Sequence, residues 1–354
     1  MADNNGTIVA NAPCRVDLAG GTMDIWPLYL FHPGAVTVNF AVNILTRCRI
    51  TPLPGRQIRL KSIDTGREEE FADFDQLCAA GKYKHPLAAY IVRFFAPQGG
   101  FEMETNSESP AGAGISGSSA LMIASTAALA RFTGRKLNRE EIREIAQNVE
   151  AQIIKVPTGC QDYYPALYGG LSAIHLQVDG LQRAEIPLAP EELDSRFVLA
   201  YTGAPRQSGI NNWEVFKAHI EGDKRVFRNF EQIGEIARAM LAALKNADWN
   251  NVARLMREEW KLRKTNAPGI STPLIEKLMT VALRNGAVAA KVCGAGGGGC
   301  VVFLTEPETR ESAAAAIRSY GGQVLPASVA RTGFTVSGVG RAREPQSTGR
   351  GIQV

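Results

Sequence analysis

The chain opens with apolar, β-branched runs rather than helical spacing. Between residues 7 and 53 short strands broken by Gly and Pro are predicted, with Val36 to Phe40 and Arg47 to Thr51 as their cores. Residues 54–108 mix strand-like and charged segments. A loop of small residues follows, Ser109-Pro-Ala-Gly-Ala-Gly-Ile-Ser-Gly-Ser-Ser119, and runs into an Ala- and Leu-rich stretch, Ala120 to Phe132, with helical character. Asn138-Arg-Glu-Glu141 has the form of an N-cap with an acidic first turn, so a helix is expected to about Lys155, ended by Pro157 and Gly159. Strand character returns over 170–200. Within it, polar Glu185 to Asp194 carries Pro187 and Pro190, which places a domain boundary near 190 and divides the chain into 1–190 and 191–341. From Asn211 to about Lys264 the pattern is helical with a turn near Asn246. Trp213, Phe216, Ile220, Phe227 and Phe230 recur at helical spacing and are expected to pack into a core. One further helix is predicted over 273–285. A second Gly-rich loop then lies between two apolar runs in Ala289 to Leu304, and residues 342–354 read as a polar, frayed tail.

Composition narrows the class. The 354 residues are 45% hydrophobic and 21% charged, the balance of an ordinary globular protein with a sizeable core. The net charge of +4 is spread along the chain, so no nucleic-acid-binding tail is expected. No run of 18 apolar residues exists to span a membrane, and Met1 to Pro13 lacks the pattern of a signal peptide. Six cysteines without a CxxC pair suit reduced thiols and a cytoplasmic location. His32, His85, His175 and His219 are scattered at no metal-binding spacing.

The loop at 110–120 carries candidate chemistry. Gly112, Gly114 and Gly117 let a backbone turn tightly and expose its N–H groups, and a helix start at Ser118 and Ser119 adds unpaired donors and a partial positive charge. This is a phosphate cradle in outline, and a close-packed turn is the alternative. The Walker pattern GxxxxGK[ST] is absent, and no acidic residue stands where a dinucleotide fold would need one.

Three separated segments resemble the motifs of the GHMP kinases (galactokinase, homoserine kinase, mevalonate kinase and phosphomevalonate kinase). They are Ala12-Pro-Cys-Arg-Val-Asp-Leu-Ala-Gly-Gly-Thr-Met-Asp24, the 110–120 loop, and Lys291-Val-Cys-Gly-Ala-Gly-Gly-Gly-Gly-Cys300, in the family's order. Gly159-Cys-Gln-Asp-Tyr-Tyr-Pro-Ala-Leu-Tyr-Gly-Gly170 is similar to a segment of heptose 7-phosphate kinases and their fucokinase-like relatives, as is Trp260 to Lys264 with Ile270-Ser271. The chain departs from the pattern twice. Ser116-Gly117 reverses the more usual Gly-Ser, and Gly20-Gly-Thr-Met-Asp24 stands for Gly-Gly-Gly-Thr-Asp.

The resemblance implies an α+β fold of two GHMP kinase domains with the active site in the cleft between them. It implies a cytoplasmic ATP- and Mg2+-dependent kinase of a sugar or sugar phosphate, whose best candidate acceptor is the anomeric C1 hydroxyl of a heptose 7-phosphate. Asp162 is implied as catalytic base and Arg15 as its cationic neighbour, with Ser119 (or Ser118) and Glu150 on Mg2+. ATP falls to Pro110, Gly112, Ala113, Gly114, Ser116, Gly117, Ser118 and Ser119, and the acceptor to Asp24, Gly20, Gly21, Gln161, Gly296 and Gly297. The basic residues Lys82, Lys84, Arg206, Lys261, Arg263 and Lys264 are unranked candidates for gripping a substrate phosphate. A free-sugar or mevalonate-type kinase, a catalytically silent sugar sensor and a homodimer all stay open.

Overall fold

The computed structural model describes residues 6–205 and 210–338, so Arg206 and the 342–354 tail lie outside the described residues. The strands are β1 (Ile8–Ala19), β2 (Val36–Leu53), β3 (Ile58–Ser62), β4 (Arg67–Phe71), β5 (Gly100–Ser107), β6 (Leu171–Gln177), β7 (Gly180–Glu185), β8 (Phe197–Tyr201), β9 (Ala287–Val292), β10 (Cys300–Thr305), β11 (Gln323–Val324) and β12 (Thr335–Ser337). The helices are α1 (Phe74–Ala79), α2 (Pro86–Phe95), α3 (Gly117–Phe132), α4 (Arg139–Ile154), α5 (Tyr164–Tyr168), α6 (Pro190–Asp194), α7 (Ile210–Ile220), α8 (Lys224–Lys245), α9 (Trp249–Arg263), α10 (Pro273–Arg284) and α11 (Arg310–Ser319). None of the described helices is long and apolar enough to cross a membrane.

Two sheets organise these elements. An eight-stranded sheet runs β12-β1-β2-β5-β3-β4, with β6 and β7 continuing from the other half of β2. A four-stranded antiparallel sheet runs β11-β8-β10-β9. The chain leaves the first sheet after Glu185 and enters the second at Phe197, then returns Thr335 to Ser337 to the edge of β1.

β2 corrects the expectation of short, interrupted strands, because one 18-residue strand joins both β-branched cores. Its first seven residues are all buried, including the polar Thr37 and Asn39. Beyond them Asn43, Arg47 and Arg49 face water and the pattern alternates. Asn43 does not break the strand, because its side-chain Oδ1 accepts from Ser328 N at 2.8 Å and its own N donates to Ser328 O at 2.9 Å. The length lets β2 pair β6 along Val36 to Phe40 and β5 along Thr46 to Leu53.

α3 is buried on nearly every side, which small residues such as Ala120, Ala124, Ala127 and Ala128 permit. α4 follows with the expected capping box: Glu141 N donates to Asn138 Oδ1 at 3.0 Å, and Asn138 N to Glu141 Oε2 at 2.6 Å.

The aromatic stripe behaves differently from its spacing. α7 ends at Ile220, Gly222 turns with φ of 85°, and α8 restarts behind an Asp223 cap, so the stripe divides between two helices. Only Phe230 is fully buried, while Trp213 stacks on Phe216 at 5.4 Å and Ile220 is exposed. The 54–108 region, read as a mix of strand-like and charged segments, holds β3, β4 and β5 and also the helices α1 and α2, and Pro86 at the first position of α2 suits a helix start.

Candidate active site

The 110–119 loop leaves β5 and delivers the N-terminus of α3 to a cavity. Ala113 N donates to Pro110 O at 3.0 Å, and the backbone takes positive φ at Gly112 (68°), Gly114 (73°) and Ser116 (59°). The reversed Ser116-Gly117 order has a structural result. A serine occupies the left-handed position at a cost of about 1 kcal/mol, and the glycine opens the helix, where a Cβ would meet Ser109 Cβ at 3.0 Å. Ser116 Oγ is buried without a hydrogen-bond partner. Pro110 to Gly114, Ser116, Gly117 and Ser118 line the cavity, together with Asp64, Ser107, Leu87 and Leu121. Ser119 lies buried behind it.

The third motif backs this loop. Cys300 N donates to Ala113 O at 2.6 Å, and a Cβ on Gly299 would fall 2.6 Å from the same oxygen, with φ already at 77°. Gly296 and Gly297 stand elsewhere. A Cβ on Gly296 would strike Ile270 O at 2.2 Å, and Gly297 N donates to that oxygen at 2.9 Å. They hold the 265–271 turn, and from this hairpin it is Cys293, Gly294 and Ala295 that line the second, more polar cavity.

That second cavity gathers residues far apart in sequence. Arg15, near the middle of β1, is 3% exposed; its Nε and Nη2 donate to Asp162 Oδ1 at 2.9 and 2.6 Å. Its Nη1 donates to Gly114 O at 3.2 Å and to Cys293 O. One guanidinium therefore touches the glycine loop, the third motif and the candidate base. Asp162 ends a single helical turn after Gly159, partly exposed, with Arg15 engaging only one of its oxygens.

Asp24 accepts from Gln161 N at 2.8 Å and Gln161 Nε2 at 3.4 Å. Gly159 is needed for this approach, since a Cβ there would lie 2.2 Å from Asp24 Oδ2. Burial, with the charge of Asp162 nearby, pushes the Asp24 carboxyl up from 3.8 to about 7. Near neutral pH it can then both donate and accept hydrogen bonds. Gly20 and Gly21 both lie outside the cavity lining: a Cβ on Gly20 would strike Val36 O, and a Cβ on Gly21 would strike the Arg263, Asp17 and Gln161 side chains.

Beneath lies a group of buried charges of which sequence reasoning named only Arg263. Asp17 Oδ2 pairs with Lys291 Nζ at 2.8 Å and with Arg263 Nη1 at 3.2 Å. Glu259 pairs with Lys291, and with Arg263 Nε at 3.4 Å. Burial opposes ionisation of Asp17, but the charges of Lys291, Arg263 and Arg15 outweigh it and lower its pKa; burial likewise opposes the charge on Arg263, and Glu259 and Asp17 outweigh that. Asp17 and Lys291 sit inside the first and third motifs, so their position was the available signal. Glu259 had none beyond its place four residues before Arg263. Thr22 and Asn212, bonded through Thr22 Oγ1 to Asn212 Oδ1 at 3.2 Å, complete one wall and were also missed.

Glu150, on α4, is 4% exposed and accepts from Tyr163 Oη at 2.7 Å. Burial raises its pKa against the hydrogen bonds of Ser118, Tyr163 and Ser119. A buried carboxylate ringed by hydroxyls is an oxygen donor set of the kind Mg2+ takes, beside a cradle for phosphates. The residues present fit that ion, which Glu150 and Ser118 or Ser119 would hold.

Two family models match the chain: the GHMP kinase N terminal domain over residues 82–170 and the GHMP kinase C terminal domain over residues 240–323. With both matches and the two-domain architecture in place, the chain carries the N and C terminal domains of GHMP kinases and is an ATP-dependent kinase. Among curated relatives it is 28% identical over 336 residues to a D-glycero-alpha-D-manno-heptose 7-phosphate kinase of Campylobacter jejuni, covering 92% of this chain and 98% of the relative. A mevalonate kinase of Thermococcus sibiricus is 23% identical over 359 residues, covering 94% and 99%. The crystal structure of a D-glycero-D-manno-heptose 1-phosphate kinase from Bacteroides thetaiotaomicron superposes with a TM-score of 0.75 at 24% identity, covering 94% of this chain and 99% of that one.

Proposed function

We propose that the protein transfers the γ-phosphoryl group of ATP to a sugar phosphate, with the anomeric C1 hydroxyl of a heptose 7-phosphate as acceptor. The observation that carries this reading is the Arg15 bridge. The same guanidinium that bonds Gly114 O in the glycine loop holds Asp162 in the cavity that contains Asp24. Similarity along nearly the whole chain to a heptose 7-phosphate kinase supports the sugar-phosphate acceptor.

Phosphoryl transfer needs positioning and charge stabilisation more than covalent chemistry. The loop N–H groups and the start of α3 bind the ATP phosphates; Glu150 and Ser118 or Ser119 would hold a Mg2+ ion, which would supply positive charge beside those phosphates. Asp24 and Gln161 hold the acceptor diol. Asp162 orients the attacking hydroxyl and takes its proton, and Arg15 fixes Asp162 while facing the charge that develops between donor and acceptor. We take 1–190 and 191–341 as the two domains and the polar cavity as their shared cleft.

The test is ATP consumption over heptose 7-phosphate, fucose, galactose, mannose and mevalonate. Turnover of heptose 7-phosphate above the others is expected. Turnover of mevalonate alone, or sugar binding without turnover, would overturn the reading in favour of a mevalonate-type kinase or a sensor.

A further inference from the structure

We propose that Arg263 is an acceptor-binding residue, whose Nη2 donates a hydrogen bond to a neutral hydroxyl of the polyol acceptor; this rests on the kinase reading above. Arg263 is 5% exposed and lines the polar cavity beside Asp24, Gln161 and Asp162. Its Nη1 is satisfied by Gly294 O at 3.3 Å and Asp17 Oδ2 at 3.2 Å, and Nε faces Glu259 at 3.4 Å. Nη2 is buried and makes no hydrogen bond. A buried donor left unpaired costs about 1–3 kcal/mol, so a native structure that keeps one at a cavity wall has a use for it.

Gly21 supplies a second, independent observation. A Cβ at position 21 would fall 2.2 Å from Arg263 Nη2 and 2.9 Å from Gln161 Nε2. The φ of Gly21 is not in the left-handed region, so the glycine is there for space, taken first by the Arg263 guanidinium and then by Asp17 Oδ2, 2.7 Å from such a Cβ.

Charge decides what Nη2 binds. Asp17 and Glu259 balance Lys291 and Arg263, two against two, so this buried group has no net charge left to neutralise a phosphate. What remains is a rigid, directional donor, suited to a hydroxyl. Together with the Asp24 carboxyl it forms a donor and acceptor pair for a sugar diol. Lys82, Lys84, Lys261 and Lys264 line neither this cavity nor the loop cavity, and Lys264 is paired with Glu276 at 3.2 Å.

The test uses the full chain and steady-state kinetics on the best acceptor from the panel. Arg263→Lys keeps the charge and removes the free arm. Gly21→Ala keeps every charge and displaces the arm. Each is expected to raise the acceptor KM by about 10- to 100-fold, the range of a hydrogen bond to a charged group, with the KM for ATP within about twofold. A monodeoxy acceptor that lacks the partnered hydroxyl is expected to lose affinity with the wild type and to lose nothing further with Arg263→Lys. An unchanged acceptor KM in both variants, with lowered thermal stability, would overturn the inference and leave Arg263 a member of the ion network only. Wild-type inactivity toward every acceptor would instead sink the kinase reading itself.

Discussion

Three side chains of the proposed mechanism each predict a different signature. Asp162→Asn is expected to lower kcat by at least about 100-fold, the lower bound for losing a positioned base, with ATP affinity intact by calorimetry. Full turnover in that variant would remove Asp162 as base. Glu150→Gln removes the one buried carboxylate among the loop hydroxyls, so the Mg2+ concentration for half-maximal rate is expected to rise about tenfold or more, with Mg2+-independent folding unchanged by circular dichroism. Asp24 predicts a stability profile. Its folded pKa of about 7 stands above its ordinary value of 3.8, so folding favours the protonated carboxyl. The stability this contributes is fully present below about pH 4 and is lost as pH rises through 7. The thermal midpoint of the ligand-free protein should therefore fall between about pH 4 and pH 7 and level off above that, and Asp24→Asn should flatten the fall. An unchanged slope in the variant would assign the effect to another group.

At the scale of elements, the sequence was most readable where local rules act alone. The Asn138 cap, the Ala-rich α3, the turn before Asp248 and the α10 span are set by propensity and capping, and the structure follows them within a few residues. Where tertiary pairing decides, it was not legible. Nothing local announces that β2 continues through Asn43, because the partner of Asn43 is Ser328, 285 residues away. The helical spacing from Trp213 to Phe230 crosses a break at Gly222 that periodicity alone smooths over. The same division holds at the site. The motifs located Arg15, Asp24, Asp162 and the loop, because each motif is a short contiguous string. Gly296 and Gly297 were drawn toward the acceptor by their motif, yet Gly296 leaves room for Ile270 and Gly297 N donates to the Ile270 carbonyl. The capping box gives the test at this scale. Asn138→Ala is expected to cost about 1 kcal/mol in urea unfolding while leaving KM values unchanged, since Asn138 holds the start of α4 and Glu150 lies three turns further on.

Across the whole molecule, the buried charges join elements that the chain order separates. Asp17 belongs to β1 of the large sheet, Lys291 to β9 of the small sheet, and Glu259 and Arg263 to α9. Their shared interactions fix the floor of the polar cavity against the strand that carries Arg15. Lys291→Met would leave two buried carboxylates with one cation, and a loss of about 3–5 kcal/mol in unfolding free energy is expected. Close to wild-type stability in that variant would show that the cluster is not held together by charge. The central claim concerns what the assembled site does, and the most direct measurement is the phosphorus spectrum of the product formed from ATP and heptose 7-phosphate. The account predicts a second phosphate resonance coupled to the anomeric proton, formed by the wild type and absent with Asp162→Asn. A new phosphate on any other carbon, or the same product from Asp162→Asn at the wild-type rate, would contradict it.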